Sequence, residues 1–242
     1  MNRTKIIILT LKEYPDRLNT LKEVFSIFEQ NGFIIEIFYG VNGKNIKQHD
    51  THFAHIKQLS YEDKIFYYDR TKRLNGRPMK NGEMGCAWSH LEIYNKLSND
   101  KDFDNYLILE DDFKLLTSID YLINAINNLP TYYDLCHICL SDWYQFTKKK
   151  QINEYFWTIE NKFFNRTTAY IVSKIGANKL LKYSNNFINI PSDDLISNFY
   201  LFGDKKDNSN VLNFYVSSTF IFKHMDVPSI IEDINNSKFD NI

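Results

Sequence analysis

The chain has 242 residues, with 29 basic against 30 acidic side chains for a formal net charge of -1, and 43% of its residues are hydrophobic. That length suits one α/β domain with a sizeable core, and the near balance of charge argues against a broad electrostatic partner such as nucleic acid or an anionic membrane. The 19 Phe and 16 Tyr make the chain unusually aromatic, which fills cores and also supplies stacking faces for bases and sugars.

The run Ile6-Ile7-Ile8-Leu9 is too short for a signal-peptide core, and no segment approaches the roughly 20 apolar residues of a membrane span. With an odd count of three cysteines, these features lead to the expectation of a soluble cytoplasmic protein with reduced thiols. Sequons at Asn2, Asn165 and Asn235 are then unused.

Lys5 to Leu11 reads as a buried parallel strand. Pro15 opens a helix in which Leu18, Leu21, Val24, Phe25 and Phe28 recur at helical spacing, with Gly32 as its stop. Phe33 to Tyr39 follows as a second strand, completing a β-α-β unit of the kind that begins an open doubly wound sheet. Residues 44 to 80 lack periodicity and read as a long loop or lid. A helix starts at Asn81, a strand runs from Asn105 to Leu109, a helix from Tyr121 to Leu129, and a strand from Leu135 to Leu140. Tyr155 to Phe164 reads as a hairpin arm, Ala169 to Ser173 as a strand, and Gly176 to Tyr183 as a helix. A helix over Leu195 to Phe202 is preceded by the capping candidates Ser192 and Asp193, and Asn213 to Phe222 forms the last strand. The predicted domain covers residues 1–226, with 227–242 as a loose tail.

Glu110-Asp111-Asp112 follows the apolar run Tyr106-Leu107-Ile108-Leu109, at the strand end where open α/β sheets bind ligands. Three like charges there call for a divalent cation, and hard oxygen ligands fit Mg²⁺ or Mn²⁺; a solvated turn is the plain alternative. The chain contains neither G-x-G-x-x-G nor G-x-x-x-x-G-K-[ST], so a nucleotide would have to be held by a cation and side chains. In "NGEMGCAWSH", Gly82 and Gly85 permit close backbone approach, Cys86 and Trp88 look like packing residues, and Glu83, Ser89 and His90 need a polar reason to sit near a core. Pro191-Ser192-Asp193-Asp194 opens a helix, where the acids either cap it or hold a carboxylate able to take a proton from a hydroxyl. His224, beyond the last strand, either reaches back as a metal ligand or is exposed. The triplet His49, His52 and His55, the C-x-x-C at Cys136 and Cys139, and the solvated loop Lys148-Lys149-Lys150 read as decoys.

In order, "IIILTLKEYPDR", "FYGVNGK", "NGEMGCAWSH", "YLILEDDF", "TAYIVSKIGANKLL" and "IPSDDLI" resemble the motifs of glycosyltransferase family 25. The resemblance covers roughly residues 5 to 200. It implies a GT-A fold, an α/β single domain with a Rossmann-like open mixed sheet flanked by helices. It also implies a UDP-hexose donor and a divalent metal, Mn²⁺ or Mg²⁺. Carried over residue by residue, Glu110 and Asp112 match the D-x-D-like metal motif, with Asp112 the direct ligand and Glu110 nearer ribose or metal water, while Asp111 orients donor hydroxyls. Glu83, Ser89 and His90 match the signature shaping the pocket, and Thr10, Leu11, Arg17 and Asn42 the region around the nucleotide. Asp193 matches the catalytic base, with Asp194 an extra acid beside it, and His224 completes the metal set by the general GT-A habit of a late ligand. Arg166-Thr167-Thr168-Ala169 departs from the small glycines of relatives and would narrow or recharge the sugar pocket.

The expected function is metal-dependent, inverting transfer of galactose or glucose from a UDP-sugar to a glycan, lipid-linked glycan or glycoprotein. The alternative is a catalytically silent nucleotide-sugar binding protein on the same fold. A metal-dependent phosphohydrolase using the same acids ranks behind both.

Overall fold

The computed structural model describes residues 3–46, 79–140, 147–160, 166–184, 191–202 and 212–225. The histidine triplet, most of the expected lid, the end of the hairpin arm, the three sequons and the tail over 227–242 lie outside the described residues. The strands that follow are β1 (Thr4–Thr10), β2 (Ile35–Tyr39), β3 (Asn105–Glu110), β4 (Phe113–Leu115), β5 (Leu135–His137) and β6 (Cys139–Leu140). They continue as β7 (Thr147–Gln151), β8 (Phe156–Glu160), β9 (Ala169–Ser173), β10 (Phe214–Ser217) and β11 (Phe222–His224). The helices are α1 (Pro15–Thr20), α2 (Lys22–Gln30), α3 (Asn81–Asn99), α4 (Ile119–Asn127), α5 (Lys174–Ser184) and α6 (Ser192–Phe202).

The main sheet has eight strands in the order β2-β1-β3-β9-β5-β10-β8-β7. It is mixed: β1 runs parallel to both β2 and β3, while β9 lies antiparallel between β3 and β5. Strands buried on both faces need continuous apolar sequence, and β1 and β3 have it. Ile7 and Leu9 join Tyr106 and Ile108 in a core shared with α3, α5 and α6. Their alternates Ile6 and Ile8 join Leu107 and Leu109 on the opposite face, against Phe28 of α2 and Leu122 of α4. Each fully buried Ile or Leu contributes about 1.5–3 kcal/mol of burial energy, so this two-sided sandwich fixes the strand ends that carry the acids.

Three expectations change. The first helix is two helices that meet at Leu21, whose backbone N–H bonds back to the Leu18 carbonyl at 3.1 Å. Leu135 to Leu140 and Asn213 to Phe222 each break and divide their residues between sheets, because β6 and β11 join β4 in a separate three-stranded sheet ordered β4-β11-β6. Lys148-Lys149-Lys150 is no loop but part of β7, the outermost strand, paired with β8. Lys149 and Lys150 are exposed there, and lysines on such an edge discourage pairing with other chains.

Candidate active site

The parallel register of β1 and β3 sets Leu9 opposite Glu110, so both strands end at the same level. Thr10 therefore meets the acids directly, its hydroxyl donating to Asp111 Oδ2 at 2.6 Å. Arg17, on the first helix after β1, donates from Nη1 to Asp111 Oδ1 at 2.9 Å and lies 3.6 Å from Asp112 Oδ2. Burial pushes the Asp111 carboxyl above its ordinary range, the Asp112 charge adds to this, and Thr10 and Arg17 only partly offset it. Both oxygens of Asp111 are engaged and the residue is buried, so it clamps Arg17 beside the site.

Asp112 is brought to His224 by the small sheet. Antiparallel pairing of β4 and β11 sets His224 opposite Phe113, and the Met225 N–H donates to the Asp112 carbonyl at 2.6 Å. His224 Nε2 then lies 3.1 Å from Asp112 Oδ2. The other oxygen, Asp112 Oδ1, is buried without a hydrogen-bond partner. An orphaned carboxylate oxygen is costly in a buried setting, and a cation would satisfy it. A carboxylate and an imidazole, with Glu110 beside them, are a donor set that fits Mn²⁺ or Mg²⁺.

Glu110 stands at the head of a buried polar chain. Its Oε1 accepts from the Thr167 hydroxyl at 2.5 Å and lies 3.1 Å from His90 Nε2. Burial pushes this carboxyl up, but the hydrogen bond and electrostatic pull of His90, the Thr167 hydroxyl and the field of His224 outweigh it and hold Glu110 below its ordinary range. An ionised carboxylate only accepts, so Nε2 carries the proton toward Glu110. His90 Nδ1 lies 2.6 Å from the Tyr170 hydroxyl, which is 2.8 Å from the Tyr94 hydroxyl. Thr167 also meets Ser192 Oγ at 3.1 Å, and Ser192 meets Cys86 Sγ at 3.4 Å. The expected polar reason for burying His90 is thus a fully partnered network. Sequence reading missed Tyr94, Tyr170, Thr167 and Ser192 as its members; Tyr94, one helical turn after His90 on α3, was the available signal.

The rest of the glycine-rich signature locks α3 in place. Ser89 Oγ accepts from the Val41 N–H at 2.8 Å and donates to the Gly85 carbonyl at 2.6 Å. A Cβ on Gly85 would sit 2.6 Å from the Val41 carbonyl oxygen, a contact only glycine avoids. Glu83 accepts from the Lys80 N–H at 2.8 Å at the start of α3, and Asn42 Oδ1 accepts from the Lys44 N–H at 3.0 Å. Leu11, just past β1, bonds through its carbonyl to the Tyr14 N–H at 3.1 Å.

At the start of α6, Asp193 is partly exposed while Asp194 is buried. Asp193 accepts from the Arg166 N–H at 3.2 Å and from the Asp194 N–H at 2.9 Å, which fixes its carboxylate. Arg166 has φ +80°, an uncommon left-handed conformation for a non-glycine residue. It is pinned there by Asp193 on its N–H and by His137 Nε2, 3.3 Å from its carbonyl. His137 is buried, which lowers its pKa to about 4, and it donates as a neutral ring. Cys136 and Cys139 are buried thiols outside any disulfide, as the sequence reading of this C-x-x-C expects.

Compared with known proteins, residues 3–196 match the profile described as "Glycosyltransferase family 25 (LPS biosynthesis protein)". The chain belongs to glycosyltransferase family 25. That family is one of glycosyltransferases, and the chain's open mixed sheet flanked by helices is the arrangement expected from the motifs. Among relatives, procollagen galactosyltransferase 1 of Danio rerio is 23% identical over 205 residues, covering 83% of this chain and 32% of the relative. A glycosyltransferase 25 family member of Aedes aegypti is 25% identical over 204 residues, covering 81% of this chain and 31% of the relative. This family 25 chain therefore spans about a third of the length of the curated relatives it matches. Among solved structures, a Drosophila β-1,4-galactosyltransferase 7 variant in complex with manganese, UDP-Gal and xylobiose aligns at 9% identity with a TM-score of 0.49, over 100% of this chain and 77% of that one. No described helix of the family 25 chain is long and apolar enough to cross a membrane.

Proposed function

We propose that this family 25 chain is a metal-dependent, inverting hexosyltransferase that moves galactose or glucose from a UDP-sugar to a hydroxyl of a glycan, lipid-linked glycan or glycosylated protein, with residues 1–226 as the transferase domain. The observation that carries the reading is the meeting at 3.1 Å of Asp112, near the middle of the sequence, and His224, close to its end, with Asp112 Oδ1 buried and unpartnered. Asp112 and His224 would hold the divalent cation, with Glu110 beside them. When bound, that cation supplies positive charge against the donor diphosphate.

The chain's own residues do the rest. Asp111 holds the Arg17 guanidinium at 2.9 Å, keeping a fixed positive charge next to Asp112 and the donor. The His90–Thr167 pair keeps Glu110 ionised and immobile, turned toward the donor ribose or a water. Asp193 accepts the proton of the acceptor hydroxyl as that oxygen attacks the anomeric carbon. The bond from the anomeric carbon to UDP breaks on the opposite face, and one displacement inverts the anomer. Burial of Asp194 favours its neighbour Asp193 as the base.

Turnover measured on a panel of UDP-sugars with Mn²⁺ tests the proposal. UDP release should need the cation and should fall on the order of 100-fold or more in Asp112→Ala; activity that survives this substitution rules out the metal role.

A further inference from the structure

Among the described residues, the ligand atoms of Cys86, His90 and Glu110 lie within 4.8 Å of one another. We propose that these three residues form a second cation site, one for a soft or borderline metal such as Zn²⁺, distinct from the Asp112–His224 pair. Cys86 and His90 are four residues apart on α3, so both project from one helix face, and β3 ends against that face with Glu110. A thiolate, an imidazole and a carboxylate are ligands that Zn²⁺ takes, whereas Mn²⁺ and Mg²⁺ favour oxygen.

Tetrahedral zinc with bonds of about 2.0–2.3 Å needs ligand atoms roughly 3.3–3.8 Å apart. His90 Nε2 and Glu110 Oε1, 3.1 Å apart, need to separate by only a few tenths of an ångström, and the Cys86 thiol, within 4.8 Å of both, needs to draw in by about an ångström at most. An outer shell is also built. A zinc-bound histidine usually donates its other ring N–H to a fixed acceptor, and Tyr170 Oη lies 2.6 Å from His90 Nδ1 with Tyr94 behind it at 2.8 Å. On binding, Cys86 releases its thiol proton to solvent. The imidazole proton passes from Nε2 to Nδ1, whose N–H then donates a hydrogen bond to Tyr170 Oη while the Tyr170 hydroxyl donates to Tyr94. None of these steps depends on sugar transfer, although zinc would draw Glu110 away from the proposed donor pocket.

Zinc titration by calorimetry, with no nucleotide sugar present, tests the site. Wild type should bind one Zn²⁺ that Cys86→Ser weakens on the order of 100-fold and Tyr170→Phe about 10-fold, while Mn²⁺ binding is unchanged by Cys86→Ser. Cobalt-loaded wild type should show a near-ultraviolet thiolate-to-cobalt charge-transfer band, a readout that needs no variant to fold. Zinc affinity equal in wild type and Cys86→Ser, or a cobalt spectrum without that band, overturns the proposal.

Discussion

Asp111, Asp112 and Glu110 are consecutive yet chemically separate, and the separation comes from what each meets. Asp111 is spent on Thr10 and Arg17, Glu110 on His90 and Thr167, and Asp112 alone keeps a buried oxygen without a partner. The strand followed by acids was legible in sequence because four apolar residues precede them at the end of β3. The pairing with His224 was not, since 112 residues separate the two and only the small sheet joins them. Asp193 is the residue with the sharpest prediction. If it takes the acceptor proton, Asp193→Asn should lower kcat by about 10²–10⁴ while donor affinity holds within about twofold. Steady-state kinetics with a separate donor-binding measurement checks this, and an equal loss in binding would mean that Asp193 merely supports the pocket.

At the scale of elements, long strands and helices were readable from periodicity, whereas strands of two or three residues were not. β4, β6 and β11 each carry too little pattern to register, so the sequence suggested single strands where the chain switches sheets. Gly85 shows how a motif glycine positions an element: with a Cβ 2.6 Å from the Val41 carbonyl, Gly85→Ala must push α3 off the loop after β2. Thermal or chemical denaturation should show a loss of about 1–3 kcal/mol, together with weaker Zn²⁺ binding because Cys86 and His90 both ride on α3. Asp100, which closes the other end of α3, gives a pH test. Its carboxylate accepts from the Tyr106 hydroxyl at 2.5 Å and from the Asp102 and Phe103 N–H groups, and pairs with Lys5 at 3.5 Å. Burial opposes ionisation, but these partners win and lower its pKa to about 2. A depressed folded value means the stabilisation is present above the unfolded pKa of about 3.9 and is lost as pH falls toward 2. Asp100→Asn should therefore cost about 1.5–3 kcal/mol at neutral pH, and the gap from wild type should close in acid unfolding curves between about pH 4 and pH 2.

For the whole molecule, a sheet buried on both faces makes a rigid platform, and the polar groups gather at one of its ends. The fold class and the family were legible because six motifs fall in the right order, each on a long element or just beyond one. The buried Tyr94–Tyr170–His90–Glu110 chain was not legible, because its members come from α3, β3 and β9 and meet only across the packed core. The central claim is that Asp112 and His224 hold the cation that lets the molecule keep a nucleotide diphosphate. Calorimetric titration of UDP into wild type, Asp112→Asn and His224→Ala, each with and without Mn²⁺, tests it most directly. The account predicts that Mn²⁺ tightens UDP binding to wild type by at least about 10-fold and that either substitution abolishes this gain; UDP affinity that ignores Mn²⁺ in wild type, or a gain that persists in both variants, would contradict it.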